Sequence, residues 1–219
     1  MPKSRHRKKP SRRRSGGGPD MYAALIRQVA YLPLRECRIN DDWKEGRMAS
    51  ISFARDRPDG RVAIAAFCVD LGCLGVKSAF ANPAMSVAEY ESGLVRNQPT
   101  CQIRCDSAFA VKLIQGAHDY ARQLGFSPDP GYRYAREIFG DIDPACWPET
   151  IEYGEDGKPF YVNGPHDDVE TIMNHLTRKL GPDGFHYLFL FGAAQEFDLL
   201  NDEDEDQEGT PFVDLRQFG

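Results

Sequence analysis

The chain has 219 residues, 41% hydrophobic and 11% aromatic, which is enough for a real core. No stretch approaches the ~20 apolar residues that cross a bilayer, so no membrane partner is expected. The net charge of -6 hides a segregation: eight of the 27 Lys and Arg stand in residues 1–14 with no acid among them, leaving 19 basic against 33 acidic residues, a net of -14, in the rest. An acidic body argues against a broad nucleic-acid groove on the domain, so any polyanion contact is expected in the arm.

That arm reads MPKSRHRKKPSRRR. It cannot bury apolar surface, so residues 1–20, with the SGGGPD linker at 15–20, are expected to be disordered. Lys3, Arg5, Arg7, Lys8, Lys9, Arg12, Arg13 and Arg14 are its candidate nucleic-acid contacts. They would attract phosphates by counterion release without reading sequence, with RNA or the ribosome as the expected partner. The competing reading is a solubilising tail. The segment MYAALIRQVAYL is broken by Arg27 and Gln28 and offers no secretory core, and the arm lacks the amphipathic face of an organelle presequence. Six cysteines without a secretory signal fit free thiols in a cytoplasmic protein.

The body, residues 21–200, is expected to be one domain. A short helix over about 21–30 is followed by LRECRIN (34–40), MASISFAR (48–55) and RVAIAAFCVDL (61–71), which read as strands. The connections are short and RPDG (57–60) suits a tight turn, so the three form an antiparallel meander. The second alternates, with Ile51 and Phe53 against Ser50 and Ser52. The third is nearly all apolar and should lie centrally, covered on both faces.

Three helical segments come next. SVAEYESGLVR (86–96) opens with the Ser86 and Glu89 of a capping box. In DSAFAVKLIQGAHDYARQLGF (106–126), Asp106 caps, one apolar face runs from Ala110 to Leu124, and Gly125 closes a Schellman stop. PGYRYAREIFG (130–140) is the third. TIEYG (150–154) and KPFYVNG (158–164) flank EDG and read as a second hairpin. HDDVETIMNHLTRKLG (166–181) is an amphipathic helix, and FHYLFLFG (185–192) one more buried strand. This order predicts an α+β fold, an antiparallel sheet with helices packed on it. Residues 201–219 are an acidic, disordered tail whose terminal PFVDLRQF could dock on the body or recruit a protein partner.

Chemistry is sought first in FCVDLGCLGVKSAF (67–80). Asp70 at the end of a central strand and Lys77 seven residues later are a candidate acid and lysine, able to serve a phosphate or a bound water. The competing reading has Asp70 capping the turn, Gly72 and Gly75 providing its dihedrals, and Lys77 as an ion-pair partner. His166 and Asp167 in GPHDD form a second candidate at a helix start, with His175 further along the same side, although aspartates there also cap free amides. Together Asp70, Lys77, His166 and Asp167 would make the site of a small hydrolase or nuclease.

Cys68-x4-Cys73 and Cys101-x3-Cys105, with His118 downstream, lack the tight knuckle of structural zinc, and buried thiols explain them better. Asp156-Gly157-Lys158 carries the letters of a nuclease D-x-K signature but reads as a hairpin turn. No phosphate loop, dinucleotide fingerprint, nucleophile elbow, H-E-x-x-H or aromatic RNP-like strand occurs, and no cofactor or metal is expected.

RECRIN-x2-W (35–43), VDLGCLGVKSAF (69–80), HDYARQLGF-x-P (118–128) and YGEDGKPFYVNGPHDD (153–168) follow in that order. Together they resemble a family of bacterial proteins that carry a VD-x2-CLGVK strand and a YA-x2-LGF-x-P helix end, over about residues 31–190. The resemblance implies no activity and leaves arm and tail outside it. The expected function is therefore a non-enzymatic binding or adaptor protein whose arm contacts nucleic acid, with the hydrolase or nuclease as the alternative.

Overall fold

The structure, a computed structural model, describes residues 19–96 and 100–190. The eight arm cations between Lys3 and Arg14, most of the linker and the acidic tail lie outside these residues. The fold is α+β, as expected: a five-stranded antiparallel sheet with helices packed on it.

Helix α1 (Pro19–Val29) begins inside the expected linker, with a proline that has no N–H to lose in a first turn. Strands β1 (Leu34–Asn40), β2 (Met48–Asp56) and β3 (Val62–Asp70) form the expected meander. The glycine turn after β3 leads into a strand that the sequence pattern concealed, β4 (Gly75–Met85). Pro83 argues against a strand interior, but β4 is the edge of the sheet, where a missing N–H costs little. The short β5 (Gln102–Arg104) pairs with β1 and completes the order β4-β3-β2-β1-β5.

Period-two alternation decides the faces. The pairs Ile51↔Phe67 and Phe53↔Ala65 put those four side chains on one side, where they join the main core. Helix α3 (Ser107–Leu124) covers that face with Val111, Leu113, Ile114 and Ala117. Its Asp106 accepts from the amides of Ala108 (2.7 Å) and Phe109 (3.1 Å). Gly125 ends it with φ 92°, and the Phe126 amide donates to Ala121 O at 3.0 Å.

On the other face Ile64 and Ala54 meet Tyr90 of the four-residue α2 (Val87–Tyr90), behind the expected Ser86–Glu89 capping box. Farther along that face Ala66 and Cys68 are half-buried, so β3 is covered on both sides only over its first half. Residues 132–139 form one α turn, α4 (Tyr132–Ala135), and then a 3-10 turn.

A second, smaller core lies beyond the β3–β4 turn. Helix α5 (Val169–Leu180) packs Leu176 against Cys73, Leu124, Tyr161 and Phe185. Two expectations are corrected here. The EDG turn exists, with Asp156 at φ 49° and Gly157 at φ 75°, but it joins only the bridge Glu155↔Lys158. Gly154 (φ 76°) gives its amide to Leu71 O, so 150–154 cannot continue as a strand beside 158–164. Instead β6 (Phe160–Val162) pairs in parallel with β7 (His186–Leu188). That strand is not buried either: Tyr187 is 53% and Leu188 49% exposed, and among the described residues of this stretch Phe185 and Phe189 reach the second core. Among the described residues no helix is long and apolar enough to cross a membrane.

Candidate functional site

Asp70 ends β3 and is almost wholly buried. Its Oδ1 accepts from the amides of Cys73 (2.7 Å) and Leu74 (3.0 Å) and so holds the turn 71–74 closed. Burial pushes its carboxyl up, against the pull of those amides and of nearby Lys77. The turn it holds is a joint. Leu71 O takes the Gly154 amide at 2.8 Å, Gly72 O takes the Phe160 amide at 3.0 Å, and Cys73 enters the second core.

Lys77 does reach the helix start at 166–168, but its partner is Asp167. Nζ donates to Oδ1 at 2.7 Å and Oδ2 at 3.0 Å, while Asp167 Oδ2 also accepts from Gly164 N (2.8 Å) and the Tyr161 hydroxyl (3.4 Å). Burial would lift the Asp167 carboxyl, but the bonds from Lys77 and Gly164 outweigh it and hold it below the usual carboxylate range. Asp168 caps α5 at Thr171 N, 3.1 Å away, so the helix starts three residues after His166, which is exposed. His175 joins the two units, 2.8 Å from Leu124 O. His118 lies beside Asp119 and against the Tyr132 ring.

The four candidates thus occupy one neighbourhood only in part: Lys77 and Asp167 neutralise each other, and Asp70 serves backbone amides. The cysteines of the zinc pattern are spread apart. Cys68 is beside Met48, Cys73 lies in the second core, and Cys101 is exposed.

Asp70, Lys77, His166 and Asp167 do not line the cavity of about 610 Å³ at the opposite edge of the sheet, where the β1–β2 connection, the residues after β5 and the segment 147–152 meet. Its base is apolar, with Ile39, Leu71 and Ile151. Three aromatic rings make a row: Trp43 to Phe109 at 5.4 Å and Phe109 to Trp147 at 5.2 Å between centroids. Each is positioned by local bonds. Asn40, buried at the end of β1, folds the 41–47 connection by accepting from Ser50 N (2.7 Å) and donating to Asp42 (2.7 Å) and Met48 O (3.0 Å). Lys112 of α3 ties down the other side through the carbonyls of Trp147 (2.8 Å) and Glu149 (2.9 Å).

Arg47, on the cavity wall, has φ 50°, a left-handed conformation that a non-glycine residue adopts at a cost of about 1–2 kcal/mol. Its carbonyl accepts from Leu71 N at 2.9 Å, which holds the conformation, and its guanidinium makes no hydrogen bond or ion pair among the described residues. Lys44 sits over the Trp43 ring, 5.4 Å from its centroid. Asp106 is committed to the α3 cap, while Glu149 and Glu152 are exposed on the rim.

Sequence reasoning missed Asn40, Trp43, Arg47, Phe109 and Trp147. One signal was available: the chain has two tryptophans, and both fall in connections, away from the apolar faces of the expected elements.

No family model, curated protein or solved structure matches the chain. The ordered motifs of residues 31–190 therefore have to be read from their own geometry.

Proposed function

We propose that this is a non-enzymatic binding protein, with an arm (1–14) that contacts nucleic acid and a body that holds a small ligand in the aromatic cavity. The observation that carries the reading is the contrast between two places. The acid–lysine pairs are consumed by backbone amides and by each other, whereas the cavity is lined by apolar and aromatic side chains together with Arg47, whose side chain has no hydrogen bond or ion pair among the described residues. Such a lining suits a ligand with a ring-bearing apolar body and one anionic group, the rings contributing area and Arg47 the orientation. The charge segregation supports the arm's role.

Both halves are tested on the full chain. Anilinonaphthalene sulfonate, an aromatic anion, should bind with a rise in its emission. Trp147→Ala should weaken it, and Arg47→Gln should weaken it more than it weakens neutral phenylnaphthylamine. Equal binding by all three proteins would overturn the cavity reading. Deleting residues 1–18 should abolish salt-sensitive retention of a single-stranded RNA oligonucleotide on a filter, and unchanged retention would overturn the arm's role.

A further inference from the structure

Cys37 on β1 and Cys105 just beyond β5 were not paired by spacing in the sequence, because 68 residues separate them. The sheet brings them together. The β1–β5 ladder runs through Arg38↔Arg104, and the Cys105 amide continues it with a 3.0 Å bond to Cys37 O. The two cysteines are therefore opposite each other, at a kind of antiparallel position where Cα atoms stand about 5.5 Å apart, inside the range a disulfide spans. Their sulfurs lie 3.5 Å apart, within hydrogen-bond reach of each other. Among the described cysteines the other four have surroundings of a different kind: Cys68 lies against Met48, Cys73 is in the second core, and Cys101 and Cys146 are exposed.

The two thiols are not equivalent. Cys37 is 3% exposed and belongs to the main core, whereas Cys105 is half-buried and forms part of the cavity wall. A small oxidant can reach Cys105 from the cavity and can reach Cys37 only past it. The hydrogen bond it shares with Cys105 and then burial push the Cys37 thiol up, which keeps it protonated, and its place behind Cys105 leaves the cavity-wall thiol to meet the oxidant first.

We propose that Cys37 and Cys105 are a redox modification site, a thiol pair that hydroperoxides convert to a cross-strand disulfide through the cavity. The Cys105 thiolate attacks a peroxide oxygen, the O–O bond breaks, and hydroxide (or alkoxide) leaves, giving a sulfenic acid. The Cys37 sulfur then attacks the Cys105 sulfur. The S–O bond breaks, and the departing hydroxyl takes the Cys37 proton and leaves as water. Two thiols lose two electrons, and one peroxide gains them. A dithiol reductant reverses the bond by exchange. The closure needs only small side-chain rotations, since the backbones are already paired. It joins β1 to the residues after β5 at the wall that holds Phe109 and Trp147, so the oxidation state is felt in the cavity.

The experiment treats the native full chain with hydrogen peroxide, blocks remaining thiols with a maleimide and maps cross-linked peptides by mass spectrometry. The expected result is a Cys37–Cys105 peptide, loss of two of the six thiols, full return on dithiothreitol, and a fall in tryptophan emission, since both tryptophans line the same cavity. Cys105→Ser should prevent the loss of both thiols. Cys37→Ser should leave Cys105 as a sulfenic acid that dimedone traps. Because Cys37 is a core residue, Cys37→Ala serves if the serine variant does not fold. The proposal is overturned if another pair dominates the map, if cross-linking needs denaturant, or if Cys105→Ser loses as many thiols as the parent.

Discussion

Lys77 and Asp167 are 90 positions apart in the chain and meet through two hydrogen bonds of 2.7 and 3.0 Å, with side chains 22% and 9% exposed. This ion pair clasps β4 to the start of α5, across the joint between the two cores. Lys77→Met leaves a mostly buried carboxylate with only an amide and a distant hydroxyl, and should cost about 2 kcal/mol in urea unfolding.

The same pair sets an acid dependence. The folded Asp167 carboxyl lies below its ordinary 3.8, so its contribution is present above that value and is lost as pH falls through the folded pKa. The stability gap between the parent and Asp167→Asn should be constant from about pH 7 to 5 and should close below the ordinary value. A gap that widens in acid would contradict the clasp.

Asp70 carries the opposite sign. Its carboxyl is pushed up by burial, so its charged form opposes folding as pH rises above 3.8. Asp70→Asn keeps an oxygen for the amides of Cys73 and Leu74 and should unfold within about 1 kcal/mol of the parent at neutral pH. Asp70→Ala leaves both amides buried and unpaired and should cost about 3 kcal/mol. Thermal melts of the two variants check the turn-holding role, and equal losses in Asn and Ala would contradict it.

Gly72 has no room for a side chain. An added Cβ would run into the main-chain carbonyl of Phe160, which cannot swing aside as a side chain could. Gly72→Ala should cost about 3 kcal/mol, whereas Gly157→Ala, in open space at φ 75°, should cost only its backbone strain of about 1–2 kcal/mol. Equal losses in the two variants would mean that the joint tolerates displacement.

Arg55 is buried on β2 without an acid in contact. Its Nε, Nη1 and Nη2 donate to the carbonyls of Ile138 (3.0 Å), Leu32 (2.7 Å) and Phe139 (3.0 Å). Arg55→Lys keeps the charge but cannot serve three carbonyls from one fork, and should lower stability by about 2–4 kcal/mol in chemical denaturation. A neutral result would mean that water replaces the fork.

Local signals were legible where one periodicity dominates. The meander, the caps at Asp106 and Ser86 and the Gly125 stop follow from alternation and capping chemistry alone. Arg55 shows the boundary of that method. Alternation from Ile51 and Phe53 puts it on the buried face, yet nothing nearby in sequence names the carbonyls that receive it. β4 was hidden by its proline and weak alternation, which only an edge strand tolerates. The 150–164 hairpin failed because Leu71 O, a distant group, claims the Gly154 amide. At the candidate site the residue types were visible and their partners were not: Lys77 with Asp167, Cys37 with Cys105, and Trp43 with Trp147 across Phe109 are all products of tertiary closure.

The β3–β4 turn gives the chain an order of assembly. Cys73 is one of five buried members of the second core, and the carbonyls of Leu71 and Gly72 receive the amides of Gly154 and Phe160. Residues 154–189 therefore dock onto a turn that must already be shaped by the sheet and by Asp70. Their amides should exchange with deuterium through openings that leave β2 and β3 protected. Opening of the sheet would expose the whole molecule at once. The smaller unit is a dependent annex of the larger one, and mutations in the turn are inherited by both.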